Sequence, residues 1–299
     1  MNKTLLKPKA EEAENALEPG APGWVAPMSD REFNFLRRVV KRHTGITLAD
    51  YKRNMLYRRI SKRMRALNMD EVKPYCELLS GPQAAGELPL FINVVTTNKT
   101  SFFREEHHFE HLARVALPAF VDEASKRGNR RLRIWSAGCS SGEEPYSIAM
   151  ILQAGLKGLG QWDAKILATD IDTNMVETGQ QGVFPADAVK SVPAPLRGNY
   201  TEPVSGDESQ VRMVASTRSS IVFKPLNLLD NWPMNGPFDM IYCRNVVIYF
   251  DKPTQRILFD RYADIMRMGG FLYIGHSESL YGITDRFRPV GQSIYQKIA

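Results

Sequence analysis

From residue 131 onward the chain alternates between two periods. Short apolar runs (Leu132 to Trp135, Lys165 to Asp170, Ile221 to Lys224, Met240 to Cys243, Gly270 to Ile274) alternate with stretches of helical spacing at Pro145 to Leu156, about 173–180, and Thr254 to Met266. Strands separated by helices pair through crossovers, which lay the helices on both faces of a mostly parallel sheet. This restricts residues 131–299 to an open α/β sheet, closed by an antiparallel hairpin over Phe287 to Ile298. The alternation fails at about 183–220, where Pro185, Pro193, Pro195, Gly198 and Gly206 surround strand-like pieces such as Val211 to Val214. That span exceeds an ordinary loop in a compact domain, so a small β-subdomain insertion is expected there.

The part before residue 131 has a different character. Residues 1–28 are polar and then rich in Pro and Gly, and are expected to form a mobile tail. Residues 29–95 read as an all-helical domain. Ser29 with Glu32 three residues on makes a capping box. Phe33, Leu36, Val39 and Val40 then recur at helical period. A second helix is expected over Asp50 to Leu67, with Met55, Leu56, Ile60, Met64 and Leu67 as its apolar stripe, and shorter ones near 71–80 and 86–95. Residues 96–130 form a linker followed by a helix from about Glu106 to Ser125.

Charge is concentrated in the helical part. Residues 30–69 hold twelve Lys/Arg against three Asp/Glu, a local balance of +9 where the whole chain carries +6. The remainder is therefore slightly acidic, and the basic helices should meet an acidic partner. Three widely spaced cysteines, Cys76, Cys139 and Cys243, support neither a disulfide framework nor a zinc site. No apolar run is long enough to cross a bilayer, and the first residues lack a signal-peptide core. A cytoplasmic protein without membrane insertion is expected.

In an open α/β sheet, ligands bind beyond the carboxyl ends of the strands. The first strand is followed by Ala137-Gly138-Cys139-Ser140-Ser141-Gly142-Glu143-Glu144-Pro145. Its glycines permit a tight turn, and Pro145 suits the first turn of a helix. The spacing is not the dinucleotide pattern G-x-G-x-x-G. Two glutamates stand where a pyrophosphate would be repelled, and they suit a cationic ligand. S-adenosylmethionine (SAM), a sulfonium with an ammonium and no phosphate, fits that charge logic. An ordinary Gly-rich turn is the plain alternative. Asp170 ends the second strand, where a carboxylate can take ribose hydroxyls, leaving the helix cap to Asp172 or Thr173. Asn227 after the third strand can clasp an adenine edge or simply form a turn. Arg244 and Asn245 leave the fourth strand where a methionyl tail or a substrate would lie.

Thr96 to Glu105 (TTNKTSFFRE), Ser136 to Tyr146 (SAGCSSGEEPY), Ala168 to Asp172 (ATDID), Tyr242 to Asp251 (YCRNVVIYFD) and Gly275 to Ser279 (GHSES) together resemble the CheR-type chemoreceptor glutamate methyltransferases. The resemblance runs from about residue 30 to the end. It implies a Rossmann-like SAM-dependent methyltransferase sheet with a small β insertion, preceded by an all-helical domain. It implies that Asn98, Thr100, Arg104, Glu144, Asp170, Asn227, Leu228, Arg244 and Asn245 line the cofactor, with Arg104 and Tyr249 nearest the moving methyl. The linker would close over the bound cofactor.

The implied reaction moves a methyl from SAM to a receptor glutamate, leaving S-adenosylhomocysteine (SAH) and a glutamyl methyl ester. The implied partners are the glutamate-rich cytoplasmic helices of chemoreceptors, met by Arg53, Arg58, Arg59, Lys62 and Arg63. In some members of the family the insertion also takes a receptor C-terminal peptide. His107, His108 and His111 are expected to be structural, no metal is expected, and nothing demands more than a monomer. Two other readings stand beside this one. A nucleic-acid methyltransferase would use the basic helices on phosphates, but the basic domain has few aromatic residues for stacking bases. A SAM- or SAH-binding regulatory module would bind without turnover.

Overall fold

The computed structural model describes residues 24–299, so most of the expected tail lies outside the described residues. The tail expected over 1–28 does not extend through residues 24–28, which are packed. Val25 and Met28 are buried, the Ala26 N–H donates to the Asp70 carbonyl (2.7 Å), and the Val25 carbonyl accepts from the Tyr57 hydroxyl (2.6 Å). Pro and Gly keep the segment out of a helix, but neighbouring donors and acceptors still satisfy its extended backbone. The described residues divide into two compact units, one of 24–39 and 48–95, the other of 40–47 and 96–299.

The first unit is helical. Its elements are most of α1 (Asp30–Thr44), then α2 (Arg53–Ala66), α3 (Val72–Leu78) and α4 (Ala84–Val95). The capping box at the start of α1 is formed. The Ser29 N–H donates to Glu32 Oε2 (2.6 Å) and the Glu32 N–H to Ser29 Oγ (3.4 Å). Phe33, Leu36, Leu56, Ile60, Met64, Tyr75 and Phe91 make the core.

The second unit opens with α5 (Glu106–His111), a π-turn at Leu112–Ala116 and α6 (Leu117–Arg127). The single helix expected from Glu106 is interrupted there because Pro118 in the first turn of α6 has no N–H to offer the preceding turn. The sheet elements follow in alternation: β1 (Arg131–Ala137), α7 (Glu143–Leu156), β2 (Asp163–Asp170) and α8 (Thr173–Gln181). The insertion comes next, with β3 (Val183–Pro185), α9 (Ala194–Tyr200), β4 (Thr201–Val204), β5 (Asp207–Met213) and α10 (Ala215–Arg218). The sheet resumes with β6 (Ile221–Pro225), β7 (Phe238–Cys243), α11 (Lys252–Ile265), β8 (Met266–Ile274), β9 (Phe287–Gly291) and β10 (Ile294–Lys297).

The large sheet runs β6-β2-β1-β7-β8-β10-β9. The strands from β6 to β8 are parallel and the last two antiparallel. Both faces are covered, so side chains alternate between two cores. Ile134, Ile166, Met240 and Tyr242 pack with α7 and the α5–α6 region, while Trp135, Ile241, Cys243 and Leu272 pack with α11. The chain leaves β1 on one side for β2 and later returns on the other for β7. The carboxyl ends of β1 and β7 therefore flank the topological switch point, where such sheets bind ligands. The insertion is a three-stranded antiparallel sheet of order β3-β5-β4, anchored to the α7 side by Phe184, whose ring meets Phe102 at 4.9 Å.

Candidate active site

The loop after β1 is drawn over the end of β2. The Gly138 and Cys139 N–H groups both donate to the Thr169 carbonyl (2.8 and 2.9 Å). The chain can turn this sharply because Gly138 (φ 92°) and Gly142 (φ 104°) occupy the left-handed region. A Cβ on Gly138 would also overlap the Val246 side chain. Beyond the turn, the Ser140 N–H donates to Asp170 Oδ2 (2.8 Å) and the Asp172 N–H to Asp170 Oδ1 (2.9 Å). Burial pushes the Asp170 carboxyl up to about 6, against the pull of those amides. Each of its oxygens keeps lone-pair capacity for a further donor.

The linker is tied to the same strand ends. Asn98 Nδ2 and Thr96 Oγ1 donate to Asp172 Oδ2 (2.6 and 2.7 Å), and Ser140 Oγ donates to the Asn98 carbonyl (3.0 Å). Asp172 also caps α8 by accepting from the Asn174 N–H (3.0 Å). Arg244, directly after β7, lies in the middle of the site with its side chain 3% exposed. Its guanidinium meets Glu144 Oε2 (2.9 Å) and Glu105 Oε2 (3.3 Å), donates to the Arg104 carbonyl, and lies over the Phe109 ring. Glu144 is further fixed by Ser136 Oγ (2.7 Å).

Two carboxylates on one guanidinium leave this buried group with a net charge of −1 when all three are ionised. Asp170 and Asp172 add acidity beside it. Such a donor set repels phosphate and suits a ligand bearing a sulfonium and an ammonium. The residues present therefore fit SAM.

The CheR methyltransferase SAM-binding domain model matches residues 98–296, and the CheR methyltransferase all-alpha domain model matches residues 31–96. This chain belongs to the CheR methyltransferase family. It is 41% identical over 271 residues to chemotaxis protein methyltransferase 2 of Pseudomonas aeruginosa, covering 88% of this chain and 92% of that one. Identity to the chemotaxis protein methyltransferase of Escherichia coli is 39% over 271 residues, covering 90% and 91%. The probable chemotaxis protein methyltransferase of Rhizobium etli is 41% identical over 254 residues, covering 84% and 94%. The CheR chain is a SAM-dependent methyltransferase.

Hydrogen bonds and ion pairs draw most of the expected CheR site residues together: Asn98 with Asp172 and Ser140, Ser140 with Asp170, and Glu144 with Arg244 and the Arg104 carbonyl. Thr100 is half-buried within the linker. The Arg104 guanidinium donates to the Lys99 carbonyl (2.7 Å). Asn245, at φ 59°, donates from its backbone to Glu278 Oε2 (3.0 Å). Tyr249 is half-buried in the one-turn helix Val247–Tyr249, and its carbonyl accepts from the Thr47 N–H (2.9 Å).

Asn227, for which an adenine clasp or a turn was expected, makes hydrogen bonds of a turn. Its Nδ2 donates to the His43 carbonyl (2.8 Å) and Asp230 Oδ1 (3.1 Å), and its Oδ1 accepts from the Leu229 N–H (3.1 Å). The side-chain amide thus holds the turn together. The Leu228 side chain is buried, and its carbonyl accepts from Arg261 (2.8 Å).

The basic residues of α2 divide. Arg53 reaches Asp30 and the Met28 carbonyl, and Arg59 donates to the Val95 carbonyl at the end of α4. Arg63 pairs with both oxygens of buried Glu87 (2.9 and 2.7 Å). Arg58 and Lys62, one turn apart, are exposed. Sequence reasoning passed over Glu105, His276 and Glu278, although the quoted motifs contain them. No periodicity marks a carboxylate as a partner of a loop far along the chain.

Proposed function

We propose that this CheR methyltransferase esterifies glutamate side chains on the cytoplasmic helices of chemoreceptors. The reading rests on one observation above the rest: a cluster of carboxylates at the strand ends, with no unpaired cation for phosphate among the strand-end groups described, in a chain that belongs to the CheR family over both of its domains. When bound, SAM supplies an electrophilic methyl on a sulfonium. Asp170 takes the ribose, and Glu144, held by Ser136 and Arg244, keeps the site acidic. Asn98, Thr100 and Arg104 close it from the linker.

A free glutamate ionises near pH 4.3, so the acceptor is already a nucleophile at neutral pH and needs no base. Three of the chain's own candidates for base or nucleophile, His108, Cys139 and Cys243, are disabled. Burial, with the Arg244 and His107 charges, pushes His108 down to about 3, and burial drives the Cys139 and Cys243 thiols well up. Alignment and water exclusion remain as the work of the site. Arg104 orients the acceptor carboxylate, and Tyr249 lines the approach. Arg58 and Lys62 meet the acidic receptor surface.

The small sheet leaves β3 and β4 as edges for a receptor C-terminal peptide to join by strand addition. A single cytoplasmic chain suffices for all of this. Among the described residues, no helix is long and apolar enough to cross a membrane.

The test is transfer of labelled methyl from SAM to chemoreceptor-containing membranes. Label released by alkali as methanol is the expected result, and label found only in DNA or RNA would sink the proposal. Arg104→Ala should lower turnover at least tenfold while SAH still binds; normal turnover would remove Arg104 from its role.

A further inference from the structure

Resting on that reading, we infer that Glu105 is a positioning residue for the methyl transfer: its carboxylate fastens the linker segment carrying Arg104 to the loops that follow β7 and β8. The first observation is backbone conformation. Phe103 (φ 55°) and Glu105 (φ 60°), on either side of Arg104, both lie in the left-handed region, which side chains other than glycine's rarely adopt. Such conformations persist only where the surroundings over-determine them, and they cluster at active sites.

The second observation is where the carboxylate goes. Glu105 is the N-cap residue of α5, yet its side chain makes no capping bond. One oxygen lies 2.8 Å from His276 Nδ1, 3.3 Å from the His276 N–H and 3.4 Å from Asn245 Nδ2. The other lies 3.3 Å from the Arg244 guanidinium, which itself donates to the Arg104 carbonyl. Arg104 is thus held through its own carbonyl and through the next side chain, while its guanidinium reaches away to the Lys99 carbonyl. Burial favours the neutral acid, but His276 and Arg244 outweigh it and hold the Glu105 carboxyl down at about 2. The Glu105 carboxylate is therefore ionised throughout the neutral range.

A role in placing Arg104 and a role in binding the cofactor separate in kinetics. Glu105→Ala and Glu105→Gln, assayed in the full chain with a chemoreceptor cytoplasmic fragment and labelled SAM, should lower kcat at least thirtyfold. The dissociation constant for SAH, which lacks the sulfonium charge that the Glu105–Arg244–Glu144 group suits, should change far less than kcat when measured by calorimetry. Glu105→Asp should restore part of the rate. His276 is 67% exposed on its side chain, so His276→Ala should fold normally and lose about fivefold in kcat. Added to Glu105→Ala it should cost nothing more, because the contact is already gone.

If Glu105→Ala fails to fold, Glu105→Gln and His276→Ala decide the matter. Wild-type kcat in the folded variants, or a rate loss matched by an equal loss of SAH affinity, overturns the inference while leaving the proposed function intact. A wild-type chain that places no alkali-labile label on the fragment overturns both.

Discussion

With the ribose role proposed for it, Asp170 should couple cofactor binding to pH. Its carboxyl, pushed up to about 6 by burial, is partly protonated in mildly acidic solution. Ribose hydroxyls donate best to the ionised form, so binding should lower this proton affinity and release a proton. SAH affinity is therefore expected to fall by up to tenfold per pH unit below about pH 6. Calorimetry near pH 6 in two buffers of different ionisation enthalpy should register the released proton. Asp170→Asn should bind weakly and lose this dependence; a pH-independent wild type would contradict the assignment. The position of Asp170 at the end of a strand was readable in the sequence, and the ribose role proposed for it follows from that position. The task of Asn227 was not readable, since a turn and an adenine clasp ask for the same amide at the same place. The His43 carbonyl that its amide reaches lies 184 positions away, where no local pattern could mark it. Glu105 was hidden for a related reason: at the start of a helix its carboxylate makes no capping bond and instead meets His276 and Arg244, far along the chain.

At the scale of elements, α2 combines two tasks that its composition merges. Leu56, Ile60 and Met64 recur at helical spacing and are buried as that spacing requires. The basic residues between them read as one charged face, but half-buried Arg63 turns to a buried partner. Its bidentate pair with Glu87, joined by the Tyr75 hydroxyl at 2.9 Å, is a buried network reaching across three helices. Spacing within one helix reveals nothing of a partner on another. Arg63→Ala strands a carboxylate that is 5% exposed and should cost about 3 kcal/mol in denaturant unfolding. Arg58→Glu with Lys62→Glu should change stability by no more than about 0.5 kcal/mol. If Arg58 and Lys62 meet an acidic receptor surface, that pair of changes should raise KM for the receptor about tenfold and leave SAH affinity unchanged. Equal losses in both would point instead to a disturbed fold.

For the whole molecule, the alternation of strands and helices was enough to read a parallel sheet buried on both faces, and the break near 183–220 was enough to read an insertion. What stayed hidden is that residues 40–47, continuous with a helix of the first unit, pack with the second. Lys41 pairs with Asp251 (2.7 Å), the Thr47 N–H donates to the Tyr249 carbonyl, and the His43 carbonyl holds Asn227. A fragment beginning at Thr96 should therefore unfold at a lower temperature than the full chain's methyltransferase unit and bind SAH more weakly. An unchanged SAH affinity would show that these contacts are dispensable to the site.

One carboxylate sets a further constraint. Glu278 accepts from the N–H groups of Gly275, Asn245 and Ile248, so the loops after β7 and β8 hang from a single side chain. Neither loop can be lengthened or replaced alone without removing acceptors from the other. Anyone grafting acceptor preference from one such enzyme to another would have to transplant the two loops together, and natural divergence faces the same rule.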